Sequence, residues 1–176
     1  VNGVDIKDKP THVVFSKTDI TGGQELAGAN MVLTDSDGKE IERWVSDGTP
    51  HELIAVLEPG ETYFLTEELP PDGYAFAETI EFTVSEDGTI DRVQMEDKPT
   101  RIEISKFDIT GEKELPGAEL EIRDKDGNLI ESWVSDGTSH VIQGKLIAGE
   151  TYSLIEKTAP DGYAFAETIE FTVSED

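Results

Sequence analysis

The chain of 176 residues contains no cysteine, and its 14 basic residues are far outnumbered by 39 acidic ones, which gives a formal charge of −25. Without cysteine the chain forms no disulfide and offers no thiolate to a metal ion. Without a basic patch it has no electrostatic footprint for nucleic acid, and its charge disfavours adhesion to anionic membranes. No hydrophobic run reaches the length of a membrane span, and zinc-ligand spacings and phosphate-binding loops are missing. We therefore expect no cofactor, no metal centre, no nucleic-acid partner and no membrane insertion.

What the chain does contain is an internal duplication. Residues 12–87 align with residues 101–176 without a gap, and well over half of the aligned positions are identical. Self-similarity at a fixed offset is the signature of a tandem array of small domains. We predict that residues 1–8 are the last strand of a preceding repeat, that residues 9–98 form a first domain, and that residues 99–176 form a second domain that stops before its last strand.

The duplicated unit has the sequence pattern of a β-domain. Short segments with period-two alternation or β-branched and aromatic residues are separated by Asp-Gly, Pro-Gly and Gly-Gly turns. The predicted strands of the first copy are residues 12–17, 29–34, 40–45, 51–56, 62–67, 76–84 and 90–97. Seven short strands at this spacing predict an all-β fold made of two tandem β-sandwich domains with an immunoglobulin-like or related Greek-key order.

Three of these strands place an ionisable residue where the next apolar residue should be. The patterns are Val13-Phe15-Lys17, Tyr63-Leu65-Glu67 and Val93-Met95-Asp97. Side chains at i, i+2 and i+4 share one face of a strand, so each charge continues a buried face, where it is costly unless paired. An amine and two carboxyl groups in a dry core either form an ion network or condense to an amide. The residues alone leave both interpretations open.

The same residues occur again at an offset of 89 positions. Lys106 and Glu156 repeat Lys17 and Glu67, and Asp8 precedes Asp97 by the same distance.

Longer motifs resemble those of Cna B-type domains, also called SpaA-like pilin domains. KTDITGGQELAGANMVL at Lys17–Leu33 and KFDITGEKELPGAELEI at Lys106–Ile122 are similar to the opening of that domain. YFLTEELPPDGY at Tyr63–Tyr74 and YSLIEKTAPDGY at Tyr152–Tyr163 resemble its glutamate-bearing segment, and VQMED at Val93–Asp97 resembles its last strand. The resemblance covers nearly the whole chain.

The resemblance implies a spontaneous intramolecular isopeptide bond between a lysine of the first strand and an Asn or Asp of the last strand, assisted by the glutamate. On this chain it implies a bond between Lys17 and Asp97, with Glu67 as the proton relay. Each domain would react once, so the protein is not expected to be an enzyme that turns over an external substrate.

In the second copy the resemblance implies that Lys106 and Glu156 are the lysine and the relay, while the acyl partner lies beyond the sequence. Asp8 would be the partner of a lysine in a preceding repeat. We expect residues 1–8 either to add as a strand to the second domain of a neighbouring molecule or to be poorly ordered.

The resemblance further implies a structural role. Such domains stack into the stalks of Gram-positive surface adhesins and pili, so we expect an extracellular, cell-wall-anchored parent protein whose adjacent repeats are partners of these domains. Two alternatives stay open. In one, the domains themselves bind host matrix or glycan; in the other, the chain is a pilus backbone subunit. No host ligand is identified.

Weaker signals are better explained by structure than by function. Asp35–Gly38 and Asp124–Asn128 are similar to the start of a calcium loop, but the remaining ligands do not follow, and an Asp-Gly hairpin turn explains both. His51 and His140 are predicted to have surface or capping roles. Two tryptophans at matching positions, Trp44 and Trp133, are predicted to pack in the core or between domains, with carbohydrate stacking as the alternative.

Overall fold

A computed structural model describes residues 5–175, and every regular element in that part of the chain is a β-strand. Its contacts divide the chain into two compact units. One unit comprises the described residues up to Pro71 together with Phe76–Lys98, and the other comprises Asp72–Ala75 together with the described residues from Pro99 onward. The prediction of an all-β protein with two tandem domains is confirmed. A search of the described residues finds no helix with the length and apolar character needed to span a membrane.

The first unit has seven strands arranged in two sheets. They are β1 (His12–Asp19), β2 (Ala27–Asp35), β3 (Glu40–Asp47), β4 (His51–Ile54), β5 (Thr62–Leu69), β6 (Ile80–Thr83) and β7 (Ile90–Asp97). One sheet has the order β4-β1-β7 and the other has the order β3-β2-β5-β6. Alternation along β5 shows how the sequence selects a face, because Tyr63, Leu65 and Glu67 are buried while the residues between them are less so.

The first and last strands of this unit lie side by side. β1 and β7 pair in parallel over eight residues, with Lys17 opposite Met95 and Asp19 opposite Asp97. Parallel neighbours need a long crossover connection, and here the crossover is the rest of the unit. Lys17 and Asp97 therefore share a face as diagonal neighbours, and a lysine side chain is long enough to cover that diagonal step.

The space between the two sheets is filled by apolar side chains. The buried members of this core are Val13, Phe15, Ala29, Met31, Leu33, Leu53, Leu57, Tyr63, Leu65, Val84, Val93 and Met95. Complete burial of a large apolar side chain contributes about 1.5–3 kcal/mol, so these residues supply the main favourable term for the unit. They also form the dry wall against which Lys17, Glu67 and Asp97 are placed.

The strand predicted over residues 76–84 is shorter in the structure. Only Ile80–Thr83 forms β6, and residues 75–79 have no regular secondary structure. The backbone N–H of Ala77 donates to Oε2 of Glu67 at 3.0 Å. A backbone N–H that donates to a side chain is not available for hydrogen bonds between strands. The prediction of a strand over residues 76–79 was therefore wrong.

β4 also ends earlier than predicted, at Ile54 rather than at residue 56. The next residue, Ala55, has a φ of 56°, in the left-handed region that L side chains rarely adopt. Its counterpart in the second copy is Gly144, with a φ of 67°. Both backbone N–H groups donate to the carbonyl of an equivalent threonine: Ala55 to Thr11 at 2.8 Å and Gly144 to Thr100 at 2.9 Å.

The second unit repeats the plan with one difference at its first strand. Its strands are β8 (Arg101–Ile104), β9 (Pro116–Arg123), β10 (Leu129–Asp136), β11 (His140–Gln143), β12 (Thr151–Thr158) and β13 (Ile169–Thr172). The sheets have the orders β11-β8 and β10-β9-β12-β13. β8 has four residues where β1 has eight, and within residues 5–175 its one partner is β11.

Candidate functional site

Lys17 is held in the interior of the first unit by its own backbone contacts. Its N–H donates to Oε2 of Glu25 at 2.8 Å, and its carbonyl accepts from the N–H of Leu26 at 2.6 Å. These bonds fix the strand direction at the point where the side chain turns into the core. The lysine is 5% exposed, so its ammonium group has little access to water.

The Nζ atom of Lys17 meets both predicted carboxyl groups. It donates to Oδ1 of Asp97, and it lies 2.9 Å from Oε1 of Glu67. Asp97 is fully buried and Glu67 is 5% exposed. The structure therefore brings together three residues that lie on three different strands and span 80 positions of sequence.

Glu67 is oriented by the loop that precedes β6. Its Oε2 accepts from the Ala77 N–H, which turns Oε1 toward Lys17. Two buried oxygen atoms of the cluster lack a well-aligned hydrogen-bond donor: Oε1 of Glu67 and Oδ2 of Asp97. Oε1 lies at ion-pair distance from the ammonium without accepting a hydrogen bond of good geometry. Buried polar atoms without partners are rare, so these two mark a place where a shared proton would complete the network.

Burial raises the pKa of Asp97 from the ordinary value of 3.8 to about 6. Removal from water disfavours the charged carboxylate and is the largest cause. The Lys17 ammonium opposes the shift, and the neighbouring Glu67 carboxyl reinforces it. A carboxyl with this pKa is partly protonated near neutral pH, and the protonated acid is the form that an amine attacks.

The arrangement of Lys17, Glu67 and Asp97 is therefore suited to a covalent reaction as well as to an ion pair. In water at neutral pH, lysine is protonated and aspartate is ionised, so neither is in its reactive form. A neutral amine in contact with a protonated carboxyl, beside a second carboxyl that can accept and return a proton, is the arrangement for amide formation.

The second unit holds the same lysine and glutamate in a looser arrangement. Nζ of Lys106 lies 3.5 Å from Oε1 of Glu156, and Oε2 of Glu156 accepts from the N–H of Ala166 at 2.6 Å. The Lys106 side chain is 16% exposed, against 5% for Lys17. Oε1 of Glu156 is again buried without a hydrogen-bond donor. Asp8 is exposed and outside any strand, and the structure does not bring it to this pair.

The sequence profile of the SpaA family, described as a prealbumin-like fold domain, matches residues 11–99 and 100–176. The chain belongs to the SpaA family. The resemblance to Cna B-type, or SpaA-like, domains is thereby confirmed.

These SpaA domains are similar to several solved structures. The Bacillus anthracis TIE protein is 24% identical, with a TM-score of 0.55 over 96% of this chain and 33% of that protein. A C-terminal fragment of the pilus adhesin SpaC from Lactobacillus rhamnosus GG is 19% identical, with a TM-score of 0.50 over 95% of this chain and 82% of the fragment. The shaft pilin SpaA from the same organism is 14% identical, with a TM-score of 0.44, and the match covers 96% of this chain and 95% of the pilin.

At these identities the likeness to solved structures concerns the fold alone. This chain spans 33% of the length of the Bacillus anthracis protein, so the activity of that whole protein does not transfer. No curated protein sequence matches the chain with statistical significance.

The Asp-Gly segments of both SpaA domains are turns, as predicted. Oδ1 of Asp35 accepts from the N–H groups of Asp37 and Lys39, at 3.0 and 2.9 Å. Asp124 makes the same bonds to Asp126 and Asn128. Among the described residues no group of three or more acidic, histidine or cysteine side chains is arranged to hold a metal ion.

His51 and His140, which were predicted to have surface or capping roles, are partly exposed and also stack on tryptophan. The rings of Trp44 and His51 are 4.3 Å apart, as are those of Trp133 and His140. Nε2 of His51 also lies 3.0 Å from a carboxylate oxygen of Glu42. The tryptophans are partly buried against their cores, which confirms that they pack in the core.

Sequence reasoning missed two groups that position the cluster. Glu25 binds the backbone of Lys17, and the signal for it was the Glu-Leu pair that both copies carry in the loop after the lysine strand. The N–H of Ala77 orients Glu67, and a backbone donor of this kind leaves no signal in residue type.

Proposed function

We propose that the first SpaA domain forms an isopeptide bond between Nζ of Lys17 and Cγ of Asp97, with Glu67 as the proton relay. The observation that carries the proposal is the buried contact of the Lys17 ammonium with both carboxyl groups. The raised pKa of Asp97 supports it, because the acid form is then accessible near neutral pH.

The proposed step balances without an external reagent. Lys17 gives up its extra proton and attacks Cγ of Asp97, the bond from Cγ to the hydroxyl oxygen breaks, and one water leaves. Glu67 accepts a proton from the amine and delivers one to the departing hydroxyl. Fixed reactants reach effective molarities of about 10⁵ M or more, so proximity supplies much of the acceleration. Each domain reacts once and has no turnover.

The main competing interpretation is an unreacted ion network built from the same three residues. A buried charge pair is a poor source of stability, because the loss of hydration offsets most of the attraction. A covalent bond removes both charges and so removes this cost. It also closes a loop of 80 residues, for which the chain-entropy model gives about 4–5 kcal/mol of stabilisation.

The bond would join the first and last strands of the domain. β1 and β7 are adjacent and parallel, so a pull on the two ends of the domain loads these two strands first. A covalent link between them would transmit the force directly from one strand to the other, so the rest of the domain would not have to resist it. This supports a structural function for the tandem SpaA domains, as spacer segments in the stalk of a Gram-positive surface adhesin or pilus, outside the cell. A chain without cysteine has no disulfide to serve this purpose.

Intact mass spectrometry tests the bond directly. The mass of the chain should be one water lower than the mass calculated from its sequence. The Lys17→Ala variant should have the full mass calculated from its own sequence. Lys106→Ala is the matched control, and it should keep the deficit. A full-length mass for the unmodified chain would leave only the ion network.

A further inference from the structure

The lysine of the first SpaA domain contacts two carboxyl groups, although its amine can form an amide with only one of them. Nζ of Lys17 donates to Oδ1 of Asp97 and lies 2.9 Å from Oε1 of Glu67. Asp97 is 0% exposed and Glu67 is 5% exposed, so burial alone does not distinguish the two acids. A further contact is needed to decide which carboxyl group bonds to the lysine and which one moves the protons.

The two carboxyl groups differ in their other hydrogen bonds. Oε2 of Glu67 accepts from the backbone N–H of Ala77 at 3.0 Å. Within residues 5–175, Oδ1 of Asp97 accepts from Lys17 and Oδ2 has no donor. A hydrogen bond donated to a carboxylate favours its ionised form. The negative charge is therefore favoured on Glu67, and the proton is favoured on Asp97.

The N–H of Ala77 is fixed by the fold and does not depend on the state of the lysine. Ala77 packs against the apolar core of the first domain. Two residues later, Oγ1 of Thr79 lies 3.1 Å from Oγ1 of Thr66, the residue that precedes Glu67 on β5. These contacts hold the loop against the strand that carries the glutamate. A donor that is already in position acts on the developing charge without any reorganisation of the protein.

The second domain contains the same contact. Oε2 of Glu156 accepts from the N–H of Ala166 at 2.6 Å, and Oε1 lies 3.5 Å from Nζ of Lys106. In both domains the backbone donor occupies one oxygen of the glutamate and leaves the other oxygen facing the lysine. The N–H is thus a constant part of the surroundings of the glutamate.

We propose that the N–H of Ala77 determines which carboxyl group becomes the amide. It keeps Glu67 ionised as the proton acceptor and leaves Asp97 as the acid that Lys17 attacks. Burial is the largest cause that raises the pKa of Asp97 to about 6, and a hydrogen bond with Glu67 adds to it, which favours the same assignment.

This selection rests on the bond proposed for the first domain, and its step balances. The bond from Nζ of Lys17 to Cγ of Asp97 forms, and the bond from Cγ to the hydroxyl oxygen breaks. Of the two protons that the ammonium loses, one leaves with the hydroxyl as water and the other stays on Glu67. An ammonium, a carboxylate and a carboxylic acid thus become an amide, one water and a carboxylic acid.

Replacement of Ala77 by lactic acid in the full chain tests the role of the N–H. The change exchanges one amide N–H for an ester oxygen and keeps the methyl group. Intact mass is followed over time in freshly synthesised chain, and protease digestion with tandem mass spectrometry identifies the carboxyl group joined to Lys17. We expect water loss to slow by about tenfold or more, because a hydrogen bond to a charged group typically contributes this much. We also expect amides with Glu67 to form beside those with Asp97.

Two controls separate the N–H from the rest of the loop. The same replacement at Ala166 should leave the rate and the Asp97 partner unchanged. Ala77→Gly loses the methyl group but keeps the N–H, so it should also keep the Asp97 partner. If Ala77→Gly forms the Glu67 amide as well, the packing of the loop makes the choice and the inference is wrong.

The partner of Lys17 also distinguishes this inference from the proposed function. If the chain with lactic acid at position 77 still bonds Lys17 to Asp97 alone, at any rate, the selection by the N–H is overturned and the first-domain bond stands. An unmodified chain that loses no water would instead overturn the proposed function, and the selection with it.

Discussion

Lys17 and Asp97 are separated by 80 residues of sequence, yet the lysine nitrogen contacts the aspartate carboxyl inside a fully enclosed core. The parallel pairing of β1 with β7 makes this contact possible, and the apolar residues of both strands keep water out. Glu67 is held beside them by a backbone donor.

Glu67→Gln should block bond formation while leaving the contact between Lys17 and Asp97 in place. The amide keeps an oxygen to accept the Ala77 N–H, but it cannot accept and return a proton. Loss of general acid–base catalysis typically costs about 10²–10⁴ in rate, so freshly made protein should retain its full mass. Glu68→Gln is a matched control, because the adjacent side chain is exposed and pairs with Arg43. If both variants lose water at the same rate, Glu67 is not the relay.

The unreacted cluster should make folding depend on pH through Asp97. Its pKa rises from 3.8 to about 6 on folding, so the folded state binds the proton more tightly than the unfolded state does. The stability gained from that proton is complete below pH 3.8 and is lost as the pH rises through 6. In Lys17→Met, which cannot form the bond, the opposing ammonium is gone and the pKa should rise further.

Lys17→Met should therefore lose about 3 kcal/mol of unfolding free energy between pH 4 and pH 7, since one pKa unit corresponds to about 1.4 kcal/mol. Denaturant titrations at several pH values measure this. Lys106→Met shares the acidic surface and serves as the control for general charge repulsion. Equal pH dependence in the two variants would show that Asp97 is not the responsible group.

Much of this arrangement could be predicted from the sequence because it depends on local periodicity. Alternation placed Lys17, Glu67 and Asp97 on the buried faces of their strands, and the offset of 89 positions revealed two domains. The burial of all three side chains follows from those faces.

Long-range and backbone features gave no such signal. Nothing in residue type shows that β1 pairs in parallel with β7, since register depends on the whole connection between them. Alternation at Ile80, Phe82 and Val84 was extended too far toward the N-terminus, because the N–H of Ala77 is diverted to Glu67. The stacking of His51 on Trp44 likewise depends on which strands become neighbours.

Ala55 and Gly144 offer a test of backbone strain at equivalent positions. Both have a positive φ, which costs a residue with a Cβ about 1 kcal/mol relative to glycine. Ala55→Gly should therefore stabilise the first domain or leave it unchanged, and Gly144→Ala should destabilise the second domain by about 1 kcal/mol. Thermal unfolding of the two variants measures both effects. If Ala55→Gly instead destabilises the first domain, the side chain of Ala55 contributes more through packing than it costs in strain.

The last prediction concerns force. When the chain is pulled from residues just outside the first domain, an isopeptide bond between Lys17 and Asp97 should keep the 80-residue segment between them from extending. Lys17→Ala should release that segment, and at about 3.3–3.6 Å per residue the gain in contour length is about 27 nm. Single-molecule force spectroscopy resolves a step of this size. Lys106→Ala should leave the first domain inextensible, because its lysine is not part of that link. If the unmodified chain shows the same step as Lys17→Ala, the first domain resists force through its fold alone. The proposed mechanical function of the bond would then be wrong.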